Sequence, residues 1–221
     1  MYKLKRIVTD LHEASKRNYL GRMIDEKVKC MGKAKKYSFE YWDGDRKYGY
    51  GGYKYITGRW HKAAKKIIKE YSLKDGSKIL DVGCGKGYLL YEIFLINPKI
   101  EIYGFDISQH GINEVPKKIN KNIIKHNVKK KFPYSSKKFD LAISLGTLHN
   151  LNLIELKIAL NEIDRVSKKN YIMVESYRNN LELFNLQCWA LTCDSFFTPD
   201  EWKWIFKLYE YKGDFEFIYF K

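Results

Sequence analysis

The stretch ILDVGCGKGYLL, residues 79–90, constrains this chain more than any other. An apolar run carries an acid near its end, three glycines alternate with other residues, and a helix-like segment follows. A glycine turn between a strand and a helix is a ligand cradle, because backbone N–H groups converge there and no Cβ blocks approach. By outline alone the turn suits a dinucleotide, a nucleoside triphosphate or S-adenosylmethionine (SAM).

The spacing narrows the choice. Asp81-Val-Gly83-Cys-Gly85-Lys-Gly87 reads D-x-G-x-G-x-G. The dinucleotide fingerprint G-x-G-x-x-G needs its third glycine one position later. The phosphate loop needs Ser or Thr after Gly-Lys, and Gly87 follows Lys86. Asp81 at the strand end would repel a pyrophosphate and suits a ligand bearing an ammonium group. Asp106 closes the next apolar run, EIYGF, 25 residues on. A carboxylate there can accept two hydrogen bonds from vicinal ribose hydroxyls. Together the two acids bracket a nucleoside with an amino-acid tail.

Around this turn, strand and helix patterns alternate. Strands are predicted at 78–82, 101–105, 122–128, 139–145 and 171–176, with helices over 87–96, after Asp106 and over 153–167. The strands are apolar on both faces, as in a parallel sheet covered by helices. The expected fold is a doubly wound, mostly parallel α/β sheet with ligands at the carboxyl ends of its strands. The tail carries a capping-box helix, with Thr198 as cap, Pro199 next and Glu201 closing the box. FEFIYF is then expected as a closing antiparallel strand, and 177–197 has no assignment. Upstream, a helix is predicted from residue 10 to about 30, with Asp10 as N-cap, and another over 59–72. Between them, FEYWDGDRKYGYGGYKYITGRW (39–60) has no period and is dense in Tyr, Gly and Trp. It is read as an ordered loop over something. The domain reading is therefore an N-terminal helix and lid segment over 1–58 and a ligand-binding domain over 59–221.

Composition excludes several classes. With 18 Tyr, 12 Phe and 5 Trp the chain is not a disordered sequence. No apolar run approaches a membrane span, and charges interrupt the first residues too early for a secretory signal, so a cytoplasmic location without membrane association is expected. The four cysteines show no metal spacing; no metal is expected, and the thiols are read as reduced and mostly buried, Cys84 included. The net charge of +15 invites a nucleic-acid reading. The excess is nearly all lysine, however, and arginine, the better phosphate and base reader, is sparse. The nine lysines of residues 117–138 are read as a solvated face.

ILDVGCGKGYLL, IYGFDIS, KKFDLAISLGTLHNL and NEIDRVSKKNYIMVE come in an order that resembles the class I SAM-dependent methyltransferases, over roughly residues 59–176. The resemblance implies a Rossmann-like fold and SAM as cofactor. It implies that Asp81, Gly83 and Gly85 line the methionine part, Asp106 holds the ribose and Ile107 lies against the adenine. Asn127 stands where the family often has an aspartate facing the adenine amino group, and Val128 would offer its N–H. The flanking stretches YWDGDRKYGYGGYKY and VESYRNN…TPDEWKWIFK also resemble a narrower bacterial group associated with surface-polysaccharide gene clusters.

The resemblance puts the acceptor near the ends of the fourth and fifth strands. His149 is the first candidate for general base and Glu175 the second. Tyr177 and Arg178 are candidate acceptor ligands, Arg178 for a phosphate or carboxylate. In the aromatic loop, Tyr48, Tyr50 and Tyr53 are candidates to face the sulfonium or the acceptor, and Arg59 to meet the SAM carboxylate. The function read from this is methyl transfer to a small-molecule acceptor, an oxygen of a sugar or nucleotide-linked precursor, with nucleic acid not expected as a partner. An RNA methyltransferase and a non-catalytic SAM-binding scaffold are the alternatives.

Overall fold

The computed structural model describes residues 3–221. Among these, the apolar runs resolve into six strands: β1 (Lys78–Val82), β2 (Glu101–Asp106), β3 (Ile123–Lys125), β4 (Phe139–Leu145), β5 (Ser167–Glu175) and β6 (Asp214–Ile218). They form one sheet in the order β3-β2-β1-β4-β5-β6, and every neighbouring pair is parallel. The order reverses between β1 and β4, which opens a crevice at the carboxyl ends of those strands.

Ten α-helices among the described residues accompany the strands: α1 (Thr9–Glu13), α2 (Tyr19–Ile24), α3 (Lys27–Ala34), α4 (Phe39–Trp42), α5 (His61–Tyr71), α6 (Tyr88–Ile96), α7 (Gln109–Asn113), α8 (Leu153–Val166), α9 (Asn180–Trp189) and α10 (Pro199–Leu208). Strand side chains alternate between two cores. Ile79, Tyr171, Met173 and Ile218 pack with Ala64 and Ile67 of α5, Leu90 and Ile93 of α6 and Leu186 of α9. Leu80, Val82, Ile172, Val174, Phe215 and Phe217 pack with Leu160 and Ile163 of α8 and Trp202 and Phe206 of α10.

Local signals place the helices well. Thr198 and Glu201 make the predicted reciprocal capping box with Pro199 in the first turn, and Asn152 with Glu155 makes a second box before α8. Other expectations need correction. The closing strand is parallel to β5, not antiparallel, because α9 and α10 form a crossover that returns the chain to the starting end of the sheet. The predicted helix over 10–30 is three short helices. Asp10 lies inside α1, whose N-cap is Val8, and Asn18 caps α2. The aromatic loop contains α4 and a 3₁₀ turn at Arg46–Tyr48, and α9 occupies the unassigned stretch.

The N-terminal segment is joined to the sheet at two points. Residues 3–5 pair with the outer edge of β6 through Lys5 N–H to Phe215 O (2.8 Å) and Phe215 N–H to Lys3 O (3.1 Å). Beside them Glu216, 1% exposed, accepts from the backbone N–H groups of Ile7, Val8 and Thr9, from Thr9 Oγ1 (2.5 Å) and from Tyr171 Oη (2.6 Å). The Val8 and Thr9 N–H groups belong to the N-cap and first residue of α1, whose cap makes no side-chain hydrogen bond of its own, and Ile7 lies just before it. Glu216→Ala leaves these donors without an acceptor. The expected loss is about 3 kcal/mol in urea unfolding, with the first tryptic cuts moving to residues 3–17. An unchanged urea midpoint would refute the anchoring role.

Candidate active site

The glycine turn is shaped by what surrounds it. Gly83 has φ +82°, and a Cβ there would lie 2.1 Å from Thr147 Oγ1; at Gly85, φ +55°, a Cβ would meet the Trp42 ring at 2.6 Å. Both positions require glycine. The N–H groups of Gly83 and Cys84 donate to Phe105 O at 2.9 and 3.0 Å, tying the turn to the end of β2. Asp106 completes this link, with Oδ2 accepting from Gly85 N–H and Oδ1 from Ser108 N–H, each at 2.8 Å. Cys84 packs over Gly104. Burial, with Asp81 and Asp106 nearby, holds its thiol well above the usual range, which fits a packing role rather than a nucleophile.

The aromatic loop is pinned onto this turn. Lys86 extends from the turn and places Nζ 2.7 and 2.8 Å from the Asp43 carboxylate oxygens, which His110 Nε2 also meets at 2.6 Å. Trp42 Nε1 donates to Ser108 Oγ at 2.8 Å. Further along, Glu92 accepts from Tyr55 Oη, at 2.5 Å, and from Gly58 N–H. The loop therefore lies ordered over the carboxyl ends of β1 and β2.

Two adjoining cavities of about 320 and 250 Å³ result. Tyr41, Trp42, Tyr50, Gly83, Leu145 and Gly146 belong to both. Asp81, Gly85, Tyr53, Arg59, His149 and Glu175 line the larger one. Asp106, Ile107, Asn127 and Val128 line the smaller one. Tyr50 stacks on Trp42 with ring centroids 5.3 Å apart, and Tyr53 tilts against Tyr50 at 4.6 Å.

 Of the fifteen predicted site residues, twelve line one cavity or the other.

The three exceptions are Tyr48, Tyr177 and Arg178, none of which lines either cavity. Tyr48 is buried with Cys30, Ala34 and Leu191 in a small satellite core, with Lys33 Nζ 3.8 Å from its ring centre. After Glu175 the chain continues along the sheet, with Ser176 N–H donating to Ile218 O, so Tyr177 packs against the main core. Arg178 pairs with Glu182 four residues on and lies over the Tyr219 ring at 4.0 Å. Asn127 faces the smaller cavity, but its side-chain oxygen already accepts the Lys129 N–H.

The electrostatics separate the acids. Asp81 is 5% exposed and has no hydrogen-bond partner among the described residues. Burial, and then the charge of Asp106, push its carboxyl up to about 8. A buried carboxylate left without a donor suits a cationic ligand group, and the neighbouring Asp106 with the exposed Ile107 suits a ribose and a flat ring. The residues present thus fit SAM. Burial raises Glu175 to about 7 and lowers His149 to about 3. His149 is further committed: its Nδ1 accepts the Glu175 N–H at 3.3 Å, which puts the ring proton on Nε2, 3.4 Å from Glu175 Oε2. In this arrangement no ring lone pair remains for a substrate proton, whereas the Glu175 carboxylate stands on the cavity wall.

Sequence reasoning missed Tyr41, Trp42 and a set of cavity-lining arginines, Arg17, Arg22 and Arg46. One signal could have found the arginines: five of the chain's seven fall in the first 59 residues, against a lysine-dominated background.

The methyltransferase domain model matches residues 73–210, and an O-methyltransferase domain model matches residues 4–133. The chain belongs to the methyltransferase domain family, of the class I, SAM-dependent kind. It is 33% identical over 119 residues to the tRNA U34 carboxymethyltransferase of Nautilia profundicola, covering 48% of this chain and 39% of that one. It is 31% identical to a SAM-dependent methyltransferase of Aquifex aeolicus, over 48% of this chain and 58% of that one, with a TM-score of 0.40. A structure of the Haloferax volcanii Trm112 methyltransferase activator in complex with a methyltransferase superposes with a TM-score of 0.54 at 19% identity, over 68% of this chain and 67% of that one. The chain spans less than half the length of the first curated relatives it matches. The expectation that nucleic acid is not a partner finds no support in the tRNA-modifying relative. No helix among the described residues is long and apolar enough to cross a membrane.

Asp81 makes SAM binding a proton-linked event. A carboxyl raised from its ordinary 3.8 to about 8 holds a proton in the folded state that the unfolded chain has released, so the free protein loses stability as pH rises through that window. SAM binding is expected to release close to one proton at pH 7, seen as a calorimetric heat that varies with buffer ionisation enthalpy. Affinity should rise with pH, up to about tenfold per unit between about pH 5.5 and 7. Asp81→Asn should abolish the proton release and weaken binding. Buffer-independent heats in the unsubstituted protein would refute the assignment.

Proposed function

We propose that this protein transfers a methyl group from SAM to an oxygen of a small acceptor, a sugar or nucleotide-linked precursor of a surface polysaccharide. The observation that carries the reading is Glu175, a part-buried carboxyl raised to about 7, on the wall of the same cavity as the unpartnered Asp81. The O-methyltransferase domain match supports an oxygen acceptor. The enclosing N-terminal segment and the modest cavity support a small one, and the resemblance of the flanking stretches supports the polysaccharide setting.

When bound, SAM supplies an electrophilic methyl group on a sulfonium. Asp81 offers its carboxylate to the ammonium, Asp106 to the ribose hydroxyls, and Arg59 its guanidinium to the carboxylate. The faces of Tyr50 and Tyr53 favour a positive charge in front of them. Glu175 takes the acceptor's hydroxyl proton, and a base with a pKa near 7 is well matched to that task. His149 acts as a positioning residue, holding Glu175 through its backbone N–H and facing the carboxylate with Nε2. In this reading residues 1–58 form a lid that excludes water and residues 59–221 form the SAM-binding domain.

A second reading, an RNA acceptor, is favoured by the tRNA-modifying relative and the +15 charge. Incubation with SAM and either nucleotide sugars or transfer RNA separates them. A one-methyl mass gain on a sugar with S-adenosylhomocysteine release supports the proposal; methylation of RNA alone overturns it. SAM binding without turnover on either would make the protein a scaffold. With the acceptor in hand, kcat at saturating SAM should rise with pH around 7. Glu175→Gln should lower kcat at least about 100-fold and flatten that profile, with SAM affinity nearly unchanged. A retained pH limb in Glu175→Gln would remove Glu175 as base.

A further inference from the structure

Three guanidinium groups converge on one indole. Arg17, Arg22 and Arg46 lie 5.6, 4.4 and 5.0 Å from the Trp189 ring centre, at the end of α9. They come from separate places: the loop after α1, α2, and the 3₁₀ turn of the aromatic loop. All three line the larger cavity, the one that holds Asp81 and Glu175.

Their hydrogen bonds go to neutral acceptors. Arg17 donates to Ser15 O, Arg22 to Lys47 O and Gly49 O, and Arg46 to Gly49 O. Among the described residues no carboxylate lies within ion-pair distance of Arg17, Arg22, Arg46 or the neighbouring Arg59. The arginines away from the cavity behave differently. Arg6 pairs with Asp10 and Glu13, Arg165 with Glu162, and Arg178 with Glu182. Burial and the charge of Arg46 also draw Arg22 down to about 10, the direction expected for like charges crowded without a counterion.

A partly buried cluster of like charges that the protein leaves unpaired is complementary to an anion. Planar guanidinium forks match phosphate oxygens, and three of them exceed what one carboxylate would neutralise. We propose that Arg17, Arg22 and Arg46, gathered on Trp189, form a phosphate-binding subsite and that the acceptor carries a phosphate or diphosphate group. This rests on the methyl-transfer reading of the cavity and names the chemistry of its acceptor.

The test is direct binding of pyrophosphate to the full chain saturated with SAM, followed by calorimetry. It needs no turnover, so it can fail while the methyl-transfer reading stands. Saturable binding is expected, weakened at least about tenfold in Arg22→Gln and in Arg46→Gln. SAM affinity should stay within about twofold, and Arg178→Gln should bind pyrophosphate like the unsubstituted protein. Arg22→Lys, which keeps the charge and loses the fork, should fall between. No saturable binding to the unsubstituted protein overturns the proposal whether or not the variants fold. Parallel loss of SAM affinity overturns it by assigning the cluster to the SAM carboxylate. A short single-stranded RNA that displaces pyrophosphate with a steep salt dependence, lost in the same variants, overturns it in favour of nucleic acid.

Discussion

The closed site depends on one buried carboxylate far from it in sequence. Glu216 in β6 gathers the first N–H groups of α1 and the Tyr171 hydroxyl, and the adjacent backbone pairing covers the edge of the sheet. Sheet edges with free backbone groups invite unwanted pairing, so this contact protects the fold as well as positioning the segment. From that anchor, α1 and the residues after it reach the crevice and contribute His12 and Arg17 to the cavity wall. Without the anchor, the sheet would still hold the glycine turn, but the cavity would lose one side.

Charges are treated differently inside and outside the site. Away from the site many acids sit in ion pairs with Lys or Arg, where each pair contributes little to stability. Around the crevice, Asp81 is left without a donor and the Trp189 arginines without an acid. Such arrangements cost free energy in the free protein and are recovered when a ligand of opposite charge arrives. Both signs line the same cavity, Asp81 as well as Arg17, Arg22 and Arg46.

Much of the catalytic domain was legible in the sequence because its signals are local. The D-x-G-x-G-x-G spacing, the acid 25 residues later and the Thr198 capping box are each set by contacts within a few residues or by one strand-turn-helix unit. The errors share a different cause. Tyr48 and Tyr50 are two residues apart in the same loop, yet one enters a satellite core and the other the cavity. Nothing periodic separates them, because the loop's path follows Lys86, Ser108 and Glu92, which are distant in sequence. Arg178 found a partner four residues away, whereas Arg22 and Arg46 meet only through folding. His149 was a natural choice of base by residue type, but its lone pair is consumed by a backbone N–H that no sequence pattern announces.

The sequence by itself determined the α/β class, the position of the glycine turn and the two acids beside it, because hydrophobic periodicity and turn chemistry act over short spans. Only the tertiary structure decided the direction of β6, the hydrogen bond that occupies His149 Nδ1, and the gathering of the N-terminal arginines on Trp189. Those outcomes depend on which groups remain unpaired after packing, and burial and hydrogen bonding are properties of the folded whole.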